Sequence, residues 1–193
     1  DDNIQYIPIS LQGYSWIVIN SQIQRELSKS AYIERVNECK EGLKILKKKF
    51  DISSFRDIDQ SMLEVLKNKS NILYKRLCHV IGENDRVQNM IDQLQEGTVE
   101  MVGTILKESH KSLKSLYDVS CKEIDYIVEL SISFDGWYGG RIIGGGFGGC
   151  SIHFVIDHEV ENYYNYITSN YTKKYDIIPE IFKVTFPGGT QYL

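Results

Sequence analysis

Five glycines crowd into the six positions from Gly144 to Gly149, with Phe147 the only side chain among them, and Gly136, Gly139 and Gly140 lie just upstream. Glycine gives up more backbone freedom on folding than any other residue, so it weakens whatever regular element contains it. A run this dense makes sense where the chain needs left-handed backbone angles or a close approach of main chain to something else. Its flanks, Tyr138–Gly144 and Cys150–Ile156, carry strand-forming residues, so the run reads as a turn between two strands. Two uses of such a turn stay open. Bare amides can converge on phosphate oxygens in a nest; alternatively, a tight β-connection packed against a neighbour needs glycine equally and binds nothing. A dinucleotide fingerprint is poorly supported because a strand, not a helix N-terminus, follows the glycines, and a Walker A loop is absent because no Gly-Lys-Ser/Thr follows.

The rest of the chain is mostly helical in pattern. Tyr14–Asn20 is β-branched and aromatic, as a short buried strand requires. After Ser28, the residues Tyr32, Val36, Cys39, Leu43, Leu46 and Phe50 recur at spacings of four and three and line one helix face. A second stripe runs from Leu73 through Leu77, Val80, Asn84, Val87 and Ile91 to Leu94, bounded by Gly97. Thr98 is a candidate N-cap for a third helix with the face Val102, Leu106, Ser109, Leu113 and Leu116. Ser120 with Glu123 predicts a capping box opening a fourth helix through Ser133. A further helix is predicted over His158–Lys174, and a last strand over Ile181–Phe186. The class is α+β, with helices packed on a small antiparallel or mixed sheet.

Composition narrows function by exclusion. The 22 basic and 26 acidic residues leave a net charge of −4, and no basic stripe interleaved with aromatics offsets it, so nucleic acid is not an expected partner. The apolar stretch Trp16–Ile19 is far below the roughly 18 residues of a membrane helix, so no membrane partner is expected either. Cys39, Cys78, Cys121 and Cys150 form no CxxC pair, which points to reduced thiols and a cytoplasmic location. The chain opens at Asp1 and enters a strand-like segment within a few residues, which predicts a piece of a longer protein.

At this point the residues form a pattern. Gly139-Gly140-Arg141-Ile142-Ile143-Gly144-Gly145-Gly146-Phe147-Gly148-Gly149-Cys150 resembles the third conserved motif of the GHMP small-molecule kinases in the form that galactokinases use, Gly-x-Arg-Met-Thr-Gly-Ala/Gly-Gly-Phe-Gly-Gly-Cys. Three further segments resemble galactokinase motifs in the same order along the chain: Ser30–Cys39, Arg76–Val87, and Glu108–Leu113 with Tyr117–Asp125. The resemblance implies a GHMP kinase C-terminal, ferredoxin-like domain over 28–193, with 1–27 a strand-bearing remnant of the N-terminal kinase domain. It implies transfer of the γ-phosphoryl group of ATP, with Mg2+, to the C1 hydroxyl of α-D-galactose. The sugar motif, the serine-rich phosphate loop and the catalytic aspartate of such kinases belong to the N-terminal half. The implied partners are therefore galactose, ATP and that N-terminal domain, which would hold most of the ATP and Mg2+. No residue of this chain is expected to be catalytic or to ligate metal, and the chain alone is expected to be inactive.

The same resemblance gives Tyr32 a sugar-contacting hydroxyl, and makes Gly144, Gly145, Gly146, Phe147, Gly148 and Gly149 a support for the nucleotide and phosphate site. Read from the pattern alone, Tyr32 simply begins an apolar helix stripe. Arg141 is expected in a structural ion pair more than on a phosphate. His79 with Glu83, Glu108 with Ser112, and His110 read as structural, since none has the convergent ligands a zinc site needs. Asn84 and Ser109 are expected as buried hydrogen-bonding residues that lock helix to helix. Three departures from the pattern, Ile143 for threonine and Ile33 and Val36 for asparagine and arginine, leave open a kinase of a related sugar such as N-acetylgalactosamine, galacturonate or arabinose. They also leave open a non-catalytic sugar and ATP sensor. Lys122 for proline is a tolerable change at a helix start.

Overall fold

A computed structural model describes residue 7, residues 11–23 and residues 28–185, the side chains of 28 and 29 excepted. Four strands, β1 (Tyr14–Asn20), β2 (Trp137–Ile142), β3 (Cys150–Ile156) and β4 (Glu180–Val184), form one sheet in the order β2-β3-β1-β4. Every neighbouring pair is antiparallel. The helices are α1 (Ser28–Leu46), α2 (Glu64–Lys67), α3 (Asn71–Glu96), α4 (Val99–Ser112), α5 (Lys122–Ser131) and α6 (Val160–Tyr175). β1 is an inner strand between β3 and β4, so residues 14–20 pack as one unit with the chain that follows them. The expected strand at Ile181–Phe186 is found as β4; Phe186 itself lies outside the described residues. Among the described residues no helix is long and apolar enough to cross a membrane.

Alternation sets the layers. Ile17 and Ile19 of β1 are fully buried on one face, with Val155, against Ile124, Ile127, Tyr163, Ile167 and Tyr171 from α5 and α6. The other face holds Phe154, flanked by Trp16, Tyr14 and Tyr138, against Val102 and Leu106 of α4. A separate core joins α1 to the 55–67 segment and the first half of α3 around Leu46, Leu63, Leu66 and Leu77. Helix ends follow local chemistry. Ser70 Oγ accepts from the Leu73 amide to open α3, and Gly97 at φ +74° closes it.

Two local expectations are corrected, and a third, the N-cap position of Thr98, holds without its side-chain bond. Ser120 does not cap α5: Cys121 is the N-cap residue, without a side-chain cap bond, and Ser120 Oγ instead donates to Asp125 at 2.6 Å. Asn84 is exposed, because α3 turns its buried face through Leu73, Arg76, Leu77 and Ile81 and has only α4 beside it further along.

α4 lies on β2 through backbone. A Cβ on Gly103 would sit 2.3 Å from the Tyr138 carbonyl oxygen, and one on Gly139 would sit 2.1 Å from the Gly103 carbonyl oxygen. Alanine inside a helix gains about 1 kcal/mol over glycine. Here that gain is outweighed, because neither carbonyl can rotate away and helix and sheet must separate around Val102, Leu106 and Phe154. Gly103→Ala is expected to destabilise the chain by roughly 2 kcal/mol net, at the upper end of overpacking costs. Thermal unfolding checks this, and an unchanged or raised Tm would refute the close-approach account.

Candidate functional site

The glycine turn joins β2 to β3, and its backbone is left-handed at Gly144, Gly146, Phe147, Gly148 and Gly149. What demands glycine at its inner positions is this chain's own backbone. A Cβ on Gly146 would lie 2.4 Å from the Val119 carbonyl oxygen, and one on Gly148 would lie 2.9 Å from that of Ile23. The Phe147 amide donates to the Val119 carbonyl at 2.6 Å and the Gly149 amide to the Ile23 carbonyl at 3.3 Å. The Gly149 carbonyl in turn accepts from the amide and hydroxyl of Ser21, at 2.9 and 2.8 Å. Two amides that a phosphate nest would use are therefore spent internally. Gly144 and Gly145 form the exposed tip.

Val119 belongs to a segment that a buried charge cluster holds in place. Arg35 and Arg76 are 8% and 6% exposed, and both meet Glu38: Arg35 Nη1 at 3.1 Å and Arg76 Nε at 2.7 Å. Arg76 Nη1 also donates to the Leu116 carbonyl at 2.6 Å. Arg35 Nη2 binds the Asp118 carboxylate at 3.0 Å, with Asp118 itself in the left-handed region at φ +59°. α4 reaches this segment through a π-helical turn at Leu113–Tyr117. Tyr117 packs flat on His79 with ring centroids 4.4 Å apart, and its hydroxyl interacts with Cys39. Burial, reinforced by the Cys39 thiol, pushes the Tyr117 phenol up to about 12.

These contacts put the start of α1 and the glycine turn on either side of two residues. Asp118 is gripped from α1 by Arg35, one turn after Tyr32, and Val119 is gripped by Phe147. Tyr32 is half exposed beside Ile33, which is 57% exposed. The structure thus links α1, the helix that carries Tyr32, to the 144–149 turn through the adjacent residues Asp118 and Val119. Sequence reasoning gave Arg35, Glu38 and Arg76 no role; the signal available was charged residues on the inward faces of two helices whose apolar stripes otherwise read as plain core.

The remaining candidates are structural. His79 Nδ1 lies 2.9 Å from Ser112 Oγ. His110 Nδ1 accepts from the Ile142 amide at 3.3 Å, and its Nε2 lies 3.3 Å from Asp125. Arg141 Nη1 donates to Glu83 at 3.1 Å and to Ser109 at 2.8 Å. Burial alone would push the Glu83 carboxyl up, but hydrogen bonds from Arg86 and Ser109 and the charge of Arg141 leave it below the usual range. Glu108 is exposed, whereas Ser112 is buried and engaged with His79. All four cysteines are free thiols. Among the described residues no group of three or more His, Cys, Asp or Glu could hold a metal ion.

Residues 90–173 match the family model "GHMP kinases C terminal". A galactokinase of Thermosipho africanus is 36% identical over 187 residues, covering 97% of this chain and 51% of that protein. One of Thermotoga maritima is 44% identical over 145 residues, covering 75% of this chain and 39% of its own length. Among solved structures, Lactococcus lactis galactokinase complexed with galactose superposes with a TM-score of 0.89 at 28% identity, over 96% of this chain and 48% of that one. A mevalonate kinase of L. major, at a TM-score of 0.52 and 17% identity, shares the fold. The chain spans about half the length of the curated relatives it matches. With fold, ordered motifs and relatives in agreement, the chain belongs to the GHMP kinase family as its C-terminal domain and is similar to the C-terminal half of galactokinases.

Proposed function

We propose that the complete protein is a cytoplasmic galactokinase, transferring the γ-phosphoryl group of ATP to the C1 hydroxyl of α-D-galactose, and that this chain forms one wall of its active site. The observation that carries the reading is the junction at Asp118–Val119, where Arg35 of α1, the helix that bears Tyr32, and Phe147 of the 144–149 turn are both bound, in a chain similar over 97% of its length to a galactokinase. Phosphoryl transfer of this kind depends chiefly on positioning and on stabilising charge. In this reading the Tyr32 hydroxyl contacts the sugar, an amphipathic side chain packing its ring and directing its polar end to a cleft. The turn acts by shape: its inner amides hold Val119 and Ile23, leaving Gly144 and Gly145 to approach the phosphates closely. ATP and Mg2+ are bound mainly by the N-terminal domain, which also supplies the catalytic aspartate. β1 is then the segment by which the chain leaving that domain enters the sheet of 28–193.

Sugar-dependent ADP release by the whole protein tests this, with the 193-residue chain run alongside. Turnover of galactose by the whole protein and none by the chain is the expected result. Preference for N-acetylgalactosamine, galacturonate or arabinose would reassign the acceptor, with Ile33 and Val36 the first positions to revert. Binding of ATP and galactose without turnover would make the protein a sensor. In the active whole protein, Tyr32→Phe is expected to raise KM for galactose about three- to tenfold with little change in kcat, the worth of one neutral hydrogen bond. An unchanged KM would remove Tyr32 from the sugar site.

A further inference from the structure

A cavity of about 200 Å³ opens between α3 and α4, with neither Tyr32 nor the 144–149 turn in its lining. Its walls are apolar along Val87, Met90 and Ile91 of α3 and Ile105 and Leu106 of α4. At the other end, at Glu83 and Arg86 of α3 and Arg141 of β2, its lining is charged. Glu83 receives Arg86 Nε at 2.5 Å, Ser109 Oγ at 3.0 Å and Arg141 Nη1 at 3.1 Å. One carboxylate therefore faces two guanidinium groups, which leaves one positive charge in surplus. Arg86 Nη2 is buried and has no hydrogen-bond partner among the described residues. Buried donors are nearly always paired, and one left unpaired costs stability. Val87, at 62% exposure, stands on the open side.

Surplus charge at one end and an apolar wall along the rest together define a ligand chemistry; the buried Arg86 Nη2, against the α3 backbone at Gly82, takes no part in it. We infer that this cavity is a binding site for a small organic anion, a carboxylate bearing one ring-sized or branched apolar group. A monoanion matches the single surplus charge, and a planar carboxylate matches guanidinium geometry. The size follows from the volume, since an apolar cavity of about 150 Å³ is enough for benzene. Arg141 lies on β2, two residues ahead of Ile143 at the base of the glycine turn, so an occupant would touch the strand from which that turn springs. The inference goes beyond the galactokinase reading and does not depend on it.

The test titrates phenylacetate into the isotopically labelled whole protein and follows the methyl resonances of Val87, Ile91, Ile105 and Leu106, with phenylacetamide as the neutral isostere. Phenylacetate is expected to saturate with a Kd of about 1 mM, within reach of ten non-hydrogen atoms, and phenylacetamide to bind about tenfold or more weakly. Arg141→Gln is expected to remove that preference. Val87→Glu, at an exposed position that leaves the fold intact, is expected to abolish binding by closing and repelling at the mouth. Equal binding of acid and amide, binding that survives Val87→Glu, or no shift with phenylacetate in the folded whole protein would each overturn the inference.

Discussion

Glu38→Ala is expected to destabilise the chain by roughly 3–5 kcal/mol, the penalty for stranding buried charge. Glu38 is the shared partner of two nearly inaccessible guanidinium groups, with its own side chain 16% exposed. Removing it leaves Arg76 with the Leu116 carbonyl at 2.6 Å and a long 3.6 Å approach to Asp118. An exposed pair would be worth only about 0–1 kcal/mol, so burial decides the size of the effect. Glu38→Gln keeps an acceptor and should fall between. Adding Arg76→Met to Glu38→Ala should restore part of the loss, because an apolar replacement removes the stranded charge itself. Urea denaturation measures all three, and a loss below about 1 kcal/mol for Glu38→Ala would show the cluster to be solvated. In the whole protein the same substitution should lower activity, since the cluster fixes the segment whose Val119 carbonyl holds Phe147.

The elements whose signal is local were legible in the sequence. β1, β2 and β3 came from β-branched and aromatic runs, α3 from its apolar period and closing glycine, and the turn from glycine density alone. Reading failed where polar side chains do core work. The apolar stripe on α3 predicted one buried face from Leu73 to Leu94, yet the buried residues are Leu73, Arg76, Leu77, His79 and Ile81, two of them invisible to a hydrophobic pattern. Beyond Gly82 that stripe borders α4 and the cavity, so Asn84 and Val87 face solvent. The Ser120 expectation failed through competition, because a carboxylate five residues on took the hydroxyl that a capping box needs. A true capping box does occur at Ser54 and Asp57, in a stretch whose short turns carry too little period to be read. The site was half legible: its two ends stood out as motifs, while the charge cluster between them joins residues up to 83 positions apart.

Acid should unfold this chain earlier than its carboxylates alone would dictate. His153 is fully buried in the sheet and is pushed down to about 3, by burial first and by the nearby His110 second. Its tautomer is set by its neighbours. Trp137 Nε1 can only donate, and does so to Nδ1 at 3.1 Å, so the ring proton sits on Nε2 and points to Ser151 Oγ at 2.8 Å. Tyr163, itself buried, places its hydroxyl 2.9 Å from the same Nδ1, and there is no acidic side chain in this set to accept a second proton. His79 is pushed down to about 4: burial dominates, Glu83 opposes it, and Arg86, Arg141 and Arg76 add to it. Both rings are neutral when folded but protonate near 6.5 when unfolded, so the unfolded state binds more protons in between. Stability is then full above about pH 6.5 and falls as pH drops towards the folded values, by about 1.4 kcal/mol per unit for each ring. Between pH 6.5 and 5 the two together should remove roughly 3 kcal/mol, since each unfolded ring is already half protonated at pH 6.5. That window lies above the carboxylate range, so it isolates the histidines, and His79→Gln should halve the slope. Urea midpoints that stay level from pH 6.5 to 5 would show that protons reach these rings without unfolding the chain.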